Sequence, residues 1–292
     1  MIALPMLTGA LAGTKSSENT EREVSASGES PERLAQIQSN VVIEVTVKRQ
    51  KDPSSTAYEE TFHIPYRPRM NVISVLMEIQ KNPVNASGQN VAPVAWEQAC
   101  LEEVCGSCTI RINGRVRQAC SALIDKVAPL TGNVRKLRLD PMSKFPVVRD
   151  LCVDRSRMFE NLKKIQGWIP IDGTYDLGPG PRLSQREQQL AYDFSRCMTC
   201  GSCLEACPQI NEHSNFIGPA ALGQVRLFNS HPTGRLNADE RLEAISQADG
   251  IASCGNAQNC VQVCPTEIPL TRAIAELHRD TTVYRIKKWL GR

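Results

Sequence analysis

The run Cys197-Met-Thr-Cys200-Gly-Ser-Cys203-Leu-Glu-Ala-Cys207-Pro208 holds four cysteines within residues 197–208. Its spacing, C-x2-C-x2-C-x3-C-P, supplies thiolates to cubane iron–sulfur clusters, and the last cysteine of such a run reaches a second cluster. A zinc knuckle is the competing interpretation. Structural zinc usually takes its ligands from separate C-x2–4-C pairs, so this run favours iron–sulfur clusters and predicts a partner group elsewhere in the chain.

The partner group is Cys254-Gly-Asn-Ala-Gln-Asn-Cys260-Val-Gln-Val-Cys264-Pro265. Compared with the first run, Ala257 takes the place of one cysteine, and alanine cannot ligate iron. Ligation that crosses between the two groups then predicts a 4Fe–4S cluster held by Cys197, Cys200, Cys203 and Cys264. The cysteines left over are Cys207, Cys254 and Cys260, which predict a 3Fe–4S cluster. A labile 4Fe–4S cluster with a non-protein fourth ligand is the alternative at this site.

A third group lies upstream, where Cys100, Cys105 and Cys108 are followed at a distance by Cys120. C-x4-C-x2-C with a distant fourth cysteine is the plant-type 2Fe–2S pattern. Gly106 lets the backbone come close and direct N–H groups at sulfur. A zinc site or buried thiols are the alternatives, but paired zinc knuckles do not match this array of three plus one.

Eleven of the twelve cysteines are thereby used. Disulfides are not expected, because the chain is long and its cysteines come in tight groups. The apolar start of the chain, residues 1–13, lacks the basic region of a signal peptide. The twelfth cysteine, Cys152, follows apolar residues in an extended stretch, which favours a buried structural thiol.

Hydrophobic periodicity predicts an α+β chain. Alternating apolar residues predict strands around Ile43–Val47, Glu60–Ile64 and Leu137–Leu139. Asn71 is a predicted cap for a helix with apolar residues at i, i+3, i+4 and i+7. Asn113-Gly114 between Ile110, Ile112 and Val116 indicates a type I′ hairpin. Residues 41–141 therefore fit a β-grasp 2Fe–2S ferredoxin domain.

Residues 142–292 have the character of an all-helical ferredoxin domain. A stripe of Met158, Leu162 and Ile165 predicts one helix, stopped at Gly167. Capping boxes at Ser184/Glu187 and at Asn237/Glu240 predict two more. Leu270, Ile274 and Leu277 mark a C-terminal helix. A Gly/Pro-rich connector occupies 173–182, and residues 1–40, rich in Ser, Glu and Thr, are predicted to be a disordered extension.

Composition narrows the classes of function. The chain has 292 residues, 41% hydrophobic and 22% charged, which is typical of a globular protein. A net charge of +3 without basic runs interleaved with aromatics argues against nucleic acid. No stretch approaches the ~18 apolar residues of a membrane span. We find no nucleophile elbow, P-loop or G-x-G-x-x-G, so no substrate chemistry or nucleotide-binding fold is predicted on this chain.

One 2Fe–2S group followed by a 4Fe–4S/3Fe–4S pair resembles the iron–sulfur subunit family of succinate dehydrogenase and fumarate reductase. The likeness covers about residues 41–292 and includes FPVVRDLCVDRSRMFENLKKIQGWIP, SHPTGRLNADERLEAI and CGNAQNCVQVCP. The resemblance implies an FAD-containing flavoprotein partner that oxidises succinate. Electrons would then pass through the three clusters to a quinone at a membrane-anchor cytochrome b subunit. It also implies a peripheral position at the cytoplasmic face of a bacterial inner membrane.

Two departures from the ubiquinone-reducing members matter. Those members carry a Trp shortly after the cysteine matching Cys207 and a His after the one matching Cys254, whereas this chain has Pro208-Gln209-Ile210-Asn211 and Gly255. No quinone site is therefore assigned to this chain. CGNAQNC resembles the bacterial branch with a dihaem anchor and menaquinone. That branch contains both succinate dehydrogenases and fumarate reductases, so a fumarate reductase subunit is the alternative. A subunit of another dehydrogenase, or a soluble electron carrier, is a further alternative.

Overall fold

The computed structural model describes residues 40–169 and 182–291. Residues 1–39, 170–181 and 292 fall outside this range, and with them nearly all of the predicted N-terminal extension and most of the predicted connector. In chain order the first elements are β1 (Val42–Arg49), β2 (Tyr58–Pro65), α1 (Val72–Lys81), β3 (Thr109–Ile112), β4 (Arg115–Gln118), α2 (Ile124–Val127), β5 (Leu130–Thr131) and β6 (Val134–Asp140). They form the mixed sheet-and-helix half of the α+β fold.

The strands make a six-stranded sheet in the order β2-β1-β6-β3-β4, with β5 paired to β6. β1 and β6 run parallel and the other neighbours antiparallel. The predicted alternation is confirmed, since Ile43, Val45 and Val47 are all fully buried. They share one apolar core with the buried face of α1.

Local capping and turn chemistry behave as predicted here. Asn71 Oδ1 accepts a hydrogen bond from the backbone N–H of Ser74 at 2.8 Å and caps α1. Asn113 and Gly114 have φ of 47° and 79°, the pair of positive values that a type I′ turn requires between β3 and β4. This hairpin returns the chain to the fourth cysteine of the first group.

The second half is mainly helical. Its elements are β7 (Val147–Arg149), β8 (Cys152–Val153), α3 (Ser156–Lys164), α4 (Gln185–Ser195), α5 (Ser202–Glu205), α6 (Pro219–Ser230), α7 (Ala238–Ile245), α8 (Asn259–Gln262) and α9 (Leu270–Trp289). The predicted helices are present. The short hairpin β7–β8 was not predicted, because strands of two and three residues carry too little periodicity to recognise.

One predicted cap is present and one is wrong. Ser184 and Glu187 form the full capping box that begins α4. Asn237 precedes α7 but makes no capping bond to the backbone. Residues Gly234–Asn237 form a 3₁₀ turn that runs directly into the helix, so the Asn237 side chain donates to Glu240 Oε1 at 3.2 Å instead of accepting a backbone N–H.

The turn of the β7–β8 hairpin ties the two halves together. Asp150, 2% exposed, accepts hydrogen bonds from Arg49 Nε at 2.9 Å and from the backbone N–H of Ala95 at 2.8 Å. Arg49 also pairs with Glu60 at 2.5 Å. Because Asp150 and Arg49 are buried and hydrogen-bonded to each other, they hold the segment after β6 against β1. The domain division near residue 141 stays a prediction.

Candidate iron–sulfur centres

The first cysteine group lies on the irregular loop before β3, with Cys120 following β4. Cys100 Sγ accepts hydrogen bonds from the backbone N–H groups of Glu102, Val104 and Cys105 at 3.3–3.4 Å. Leu101 and Glu103 have positive φ, 63° and 58°, which turns the loop inward. Backbone donors directed at sulfur are what a negatively charged cluster requires, so the loop suits the predicted 2Fe–2S centre.

The charge state of these thiols depends on their surroundings. Hydrogen bonds, first from the Ser107 hydroxyl, lower the pKa of Cys105 to about 6. Burial, with the neighbouring Cys108, raises the pKa of Cys120 to about 11. A raised thiol pKa disfavours the thiolate, which a bound cation then restores with release of a proton. Bound iron would therefore offset the burial of Cys120.

The second predicted set lines one cavity. Cys197, Cys200, Cys203 and Cys264 all border this cavity, which is also lined by the apolar side chains of Phe194, Ile268 and Leu270. Burial raises the pKa of Cys203 well above its ordinary value, and the other three cysteines add to the effect. Four thiols around one apolar cavity fit a cubane cluster, so these residues are suited to hold the predicted 4Fe–4S group.

Helix α5 carries Cys203 of this set, and Glu205 at its end anchors it. Glu205 is 8% exposed and accepts hydrogen bonds from the backbone N–H of Ser143 and of Lys144, each at 2.9 Å. Arg111 of β3 lies 3.7 Å away and supplies opposite charge from the sheet. The sheet and the segment after β6 therefore both position the cysteine run.

The third predicted set also comes together. Burial raises the pKa of Cys260 to about 11, and the proximity of Cys207 and Cys254 adds to it. Ala257 lies on an exposed loop between two residues of positive φ, Asn256 at 52° and Gln258 at 62°. The alanine brings no thiol to this set, so its predicted ligands are the three neighbouring cysteines.

The two cubane sets are neighbours, because the charge of Cys260 also contributes to the raised pKa of Cys203. Within residues 40–169 and 182–291, no three His, Cys, Asp or Glu side chains are grouped to hold a metal ion. A cluster does not need such convergence, since at most two of its thiolates bind any one iron atom.

The twelfth cysteine lies apart from these sets. Cys152 on β8 is partly buried, less than the prediction of a buried thiol implied. Burial, followed by the charges of Glu97 and Asp150, raises its pKa to about 11. No other cysteine is among the groups that shift it.

Several residues that support the cysteines were missed from the sequence. Arg155 donates to the carbonyls of Gly106 at 2.9 Å and Ser107 at 2.7 Å, and so fastens the first cysteine loop to the start of α3. Ser202 lies beside Cys200, and Thr266 beside Cys264, each pair at 3.4 Å. A signal in the sequence was the tetrapeptide C-G-S-C, which occurs at 105–108 and again at 200–203.

Comparison with known proteins agrees with this geometry. Residues 44–160 match the family described as "2Fe-2S iron-sulfur cluster binding domain", and residues 193–268 match "4Fe-4S dicluster domain". The fold and the site thus define an iron–sulfur protein with a 2Fe–2S domain followed by a dicluster domain.

Three relatives make the assignment more specific. The Bacillus subtilis succinate dehydrogenase iron–sulfur subunit is 57% identical over 85% of this chain and 96% of its own length. An Escherichia coli fumarate reductase iron–sulfur subunit is 27% identical over 81% and 91%. A chain of the Mycobacterium smegmatis Sdh1 complex has the same fold, with a TM-score of 0.67 at 24% identity over 82% and 95%. The chain belongs to the succinate dehydrogenase and fumarate reductase iron–sulfur subunit family, and its role is electron transfer.

Among the described helices, none combines the length and the apolar character that crossing a membrane requires.

Proposed function

We propose that this chain carries electrons in a succinate:quinone oxidoreductase, from an FAD-containing subunit to a quinone, with menaquinone favoured, at a membrane-anchor cytochrome b. The observation that carries the proposal is the adjacency of three cysteine sets. A Cβ placed on Gly106 in the first set would lie 2.5 Å from Cys200 Cβ in the second. Cys203 of the second set is in turn close to Cys260 of the third. Bound clusters supply one-electron redox chemistry, and the chain supplies their spacing.

The proposed ligand sets are those predicted from the sequence. Cys100, Cys105, Cys108 and Cys120 hold the 2Fe–2S cluster, and Cys197, Cys200, Cys203 and Cys264 hold the 4Fe–4S cluster. Cys207, Cys254 and Cys260 hold a 3Fe–4S cluster. The grouping of thiols in the structure supports each set, and the missing thiol at Ala257 supports three irons at the third.

Exposed surfaces beside the first and the third cysteine sets, the two ends of the proposed electron path, suit partner proteins. Leu101 and Val104, on the loop of the first cysteine set, are 49% and 65% exposed. Apolar side chains so exposed around a redox centre fit a docked flavoprotein. At the other end, residues 255–258 beside the third set are exposed as well. This end suits delivery of electrons to the anchor, with the chain held peripherally at the cytoplasmic face of the membrane.

Succinate oxidation is the direction that we propose, with fumarate reduction as the alternative. The support is the higher identity to a succinate dehydrogenase subunit, 57% against 27% for a fumarate reductase subunit. Both activities use the same series of clusters, so the direction depends on cluster potentials and on the quinone. The proposed site of substrate oxidation lies on the flavoprotein.

Low-temperature EPR on the anaerobically purified chain tests the proposal. We expect a near-isotropic 3Fe–4S signal after oxidation and a rhombic 2Fe–2S signal after reduction with dithionite. Serine in place of Cys207, Cys254 or Cys260 should remove the 3Fe–4S signal first. Loss of the 2Fe–2S signal alone in such a variant would contradict the ligand sets. A colourless protein with stoichiometric zinc after anaerobic reconstitution would overturn the proposal.

A further inference from the structure

Hydroxyl side chains stand two residues after certain predicted ligand cysteines. Ser202 follows Cys200 and Thr266 follows Cys264 in the second set, and each hydroxyl oxygen lies 3.4 Å from the cysteine sulfur. In the first set, Ser107 stands in the same relation to Cys105 and hydrogen-bonds to it. In the third set these positions hold Gln209, Asn256 and Gln262. Hydroxyl groups therefore accompany the first two sets and are absent at this spacing from the third.

Ser202 is the most enclosed of these hydroxyl groups. It is fully buried at the start of α5. Besides Cys200, its oxygen contacts Gln118 Nε2 at 3.4 Å, and Gln118 is 1% exposed on β4 of the sheet. The hydroxyl thus lies between a residue of the first half of the chain and a predicted ligand in the second half.

Counting protons shows which way these hydrogen bonds run. Thr109 Oγ1 donates to the carbonyl of Gly106 at 2.7 Å, so it accepts from Gln118 Nε2 at 3.2 Å. That contact orients the amide with its NH2 group toward Thr109 and Ser202. Its second N–H then points at Ser202 Oγ. While Cys200 is a thiol, its Sγ donates to Ser202 Oγ at 3.4 Å; once Cys200 has lost that proton to bind iron, the hydroxyl proton of Ser202 is the one that can bridge the two atoms. A cysteine bound to iron is a thiolate and accepts only.

We propose that Ser202, oriented by Gln118, is a positioning residue that donates a hydrogen bond to the Cys200 thiolate and raises the reduction potential of the 4Fe–4S cluster. The inference rests on the proposed function, because it takes Cys200 to be a ligand of that cluster. Reduction adds one electron and makes the cluster more negative, with no bond formed or broken. A hydrogen bond to sulfur stabilises the reduced state more than the oxidised state.

The hydrogen bond from Ser202 to Cys200 depends on both halves of the chain, because Gln118 lies in the sheet and Ser202 in the helical half. The Ser202 proton is directed at sulfur only while Gln118 occupies the hydroxyl lone pair. Movement of β4 away from α5 would free the hydroxyl to rotate and weaken the bond to Cys200. The reduction potential of the 4Fe–4S cluster therefore depends on how the sheet packs against the cysteine run.

The test is an EPR-monitored redox titration of the full chain, purified anaerobically with its clusters. Ser202→Ala should shift the midpoint potential of the 4Fe–4S cluster to a lower value and leave those of the other two clusters unchanged. Ser195→Ala is the matched control. Ser195 lies two residues from Cys197, but its hydroxyl donates to the carbonyl of Tyr192 at 2.8 Å, so its removal should leave all midpoints unchanged.

A second variant, Gln118→Met, keeps the test decisive if Ser202→Ala fails to bind the cluster. Pulsed ENDOR after exchange into deuterated buffer should find an exchangeable proton coupled to the reduced 4Fe–4S cluster. Its coupling should be lost in Ser202→Ala and weakened in Gln118→Met. A normal 4Fe–4S signal with an unchanged midpoint and unchanged coupling in these variants would overturn the inference. Absence of the 4Fe–4S signal from the unsubstituted chain would instead count against the proposed function.

Discussion

Gly106 and Cys200 are in direct contact: a Cβ placed on Gly106 would lie 2.5 Å from Cys200 Cβ and 2.7 Å from its Cα. Gly106 also has a positive φ of 73°. The contact joins the loop of the first cysteine set to the run of the second. No side chain fits between them, so glycine allows the closest approach of the two centres.

We expect Gly106→Ala to push these segments apart and to destabilise the protein. Left-handed backbone alone costs about 1 kcal/mol for alanine, and overpacking adds about 1–3 kcal/mol. Gly114→Ala is the matched control, since Gly114 has a φ of 79° and a Cβ placed on it would meet no atom within 4 Å. Urea unfolding measures the stability difference. Equal losses in the two variants would contradict the contact.

Ala257→Cys should restore the missing ligand position of the third set and convert its cluster to 4Fe–4S. The residue is exposed on a loop, so a larger side chain meets little steric resistance. The measurement is the oxidised EPR spectrum, in which the 3Fe–4S signal should disappear. Ala257→Ser, similar in size but a poor iron ligand, should retain the signal. An unchanged signal in the cysteine variant would show that the backbone around residue 257 sets the cluster type.

Asp150→Ala should destabilise the protein by about 3–5 kcal/mol, because it leaves the buried Arg49 without one of its charged partners. Thermal or urea unfolding measures the effect. Glu78→Ala removes a carboxylate paired with the exposed Arg67 at 2.7 Å and should cost less than about 1 kcal/mol. Similar costs for the two changes would argue against a structural role for the buried charges.

Cys152 should react slowly with iodoacetamide at neutral pH. Its pKa is raised to about 11, and only the thiolate reacts, so the rate should climb as the pH rises toward 11. The measurement is alkylation of the cluster-loaded chain, in which iron shields the predicted ligands. Cys152→Ser should lack the labelled site. A rate that stops rising near pH 9 would show that the pKa of Cys152 is not raised.

Much of the local structure follows from the sequence, because it depends on short-range rules. The alternation around Ile43–Val47, the Asn71 cap and the positive-φ pair Asn113-Gly114 each involve neighbours within a few residues. Cysteine spacing is likewise local, and it predicted the three ligand sets. The Asn237 cap failed for a local reason as well, since the preceding 3₁₀ turn is not visible in the capping pattern.

Only the tertiary structure decided which distant residues surround the cysteines. Gly106 against Cys200, Gln118 against Ser202 and Asp150 against Arg49 all join residues far apart in the chain. No periodicity or capping rule connects such pairs, since they meet only when the sheet packs on the helical half. The sequence by itself determined what the chain holds, namely three sets of thiols at ligand spacing. The packing of the two halves determined how close those sets lie and which hydroxyl and amide groups face their sulfurs.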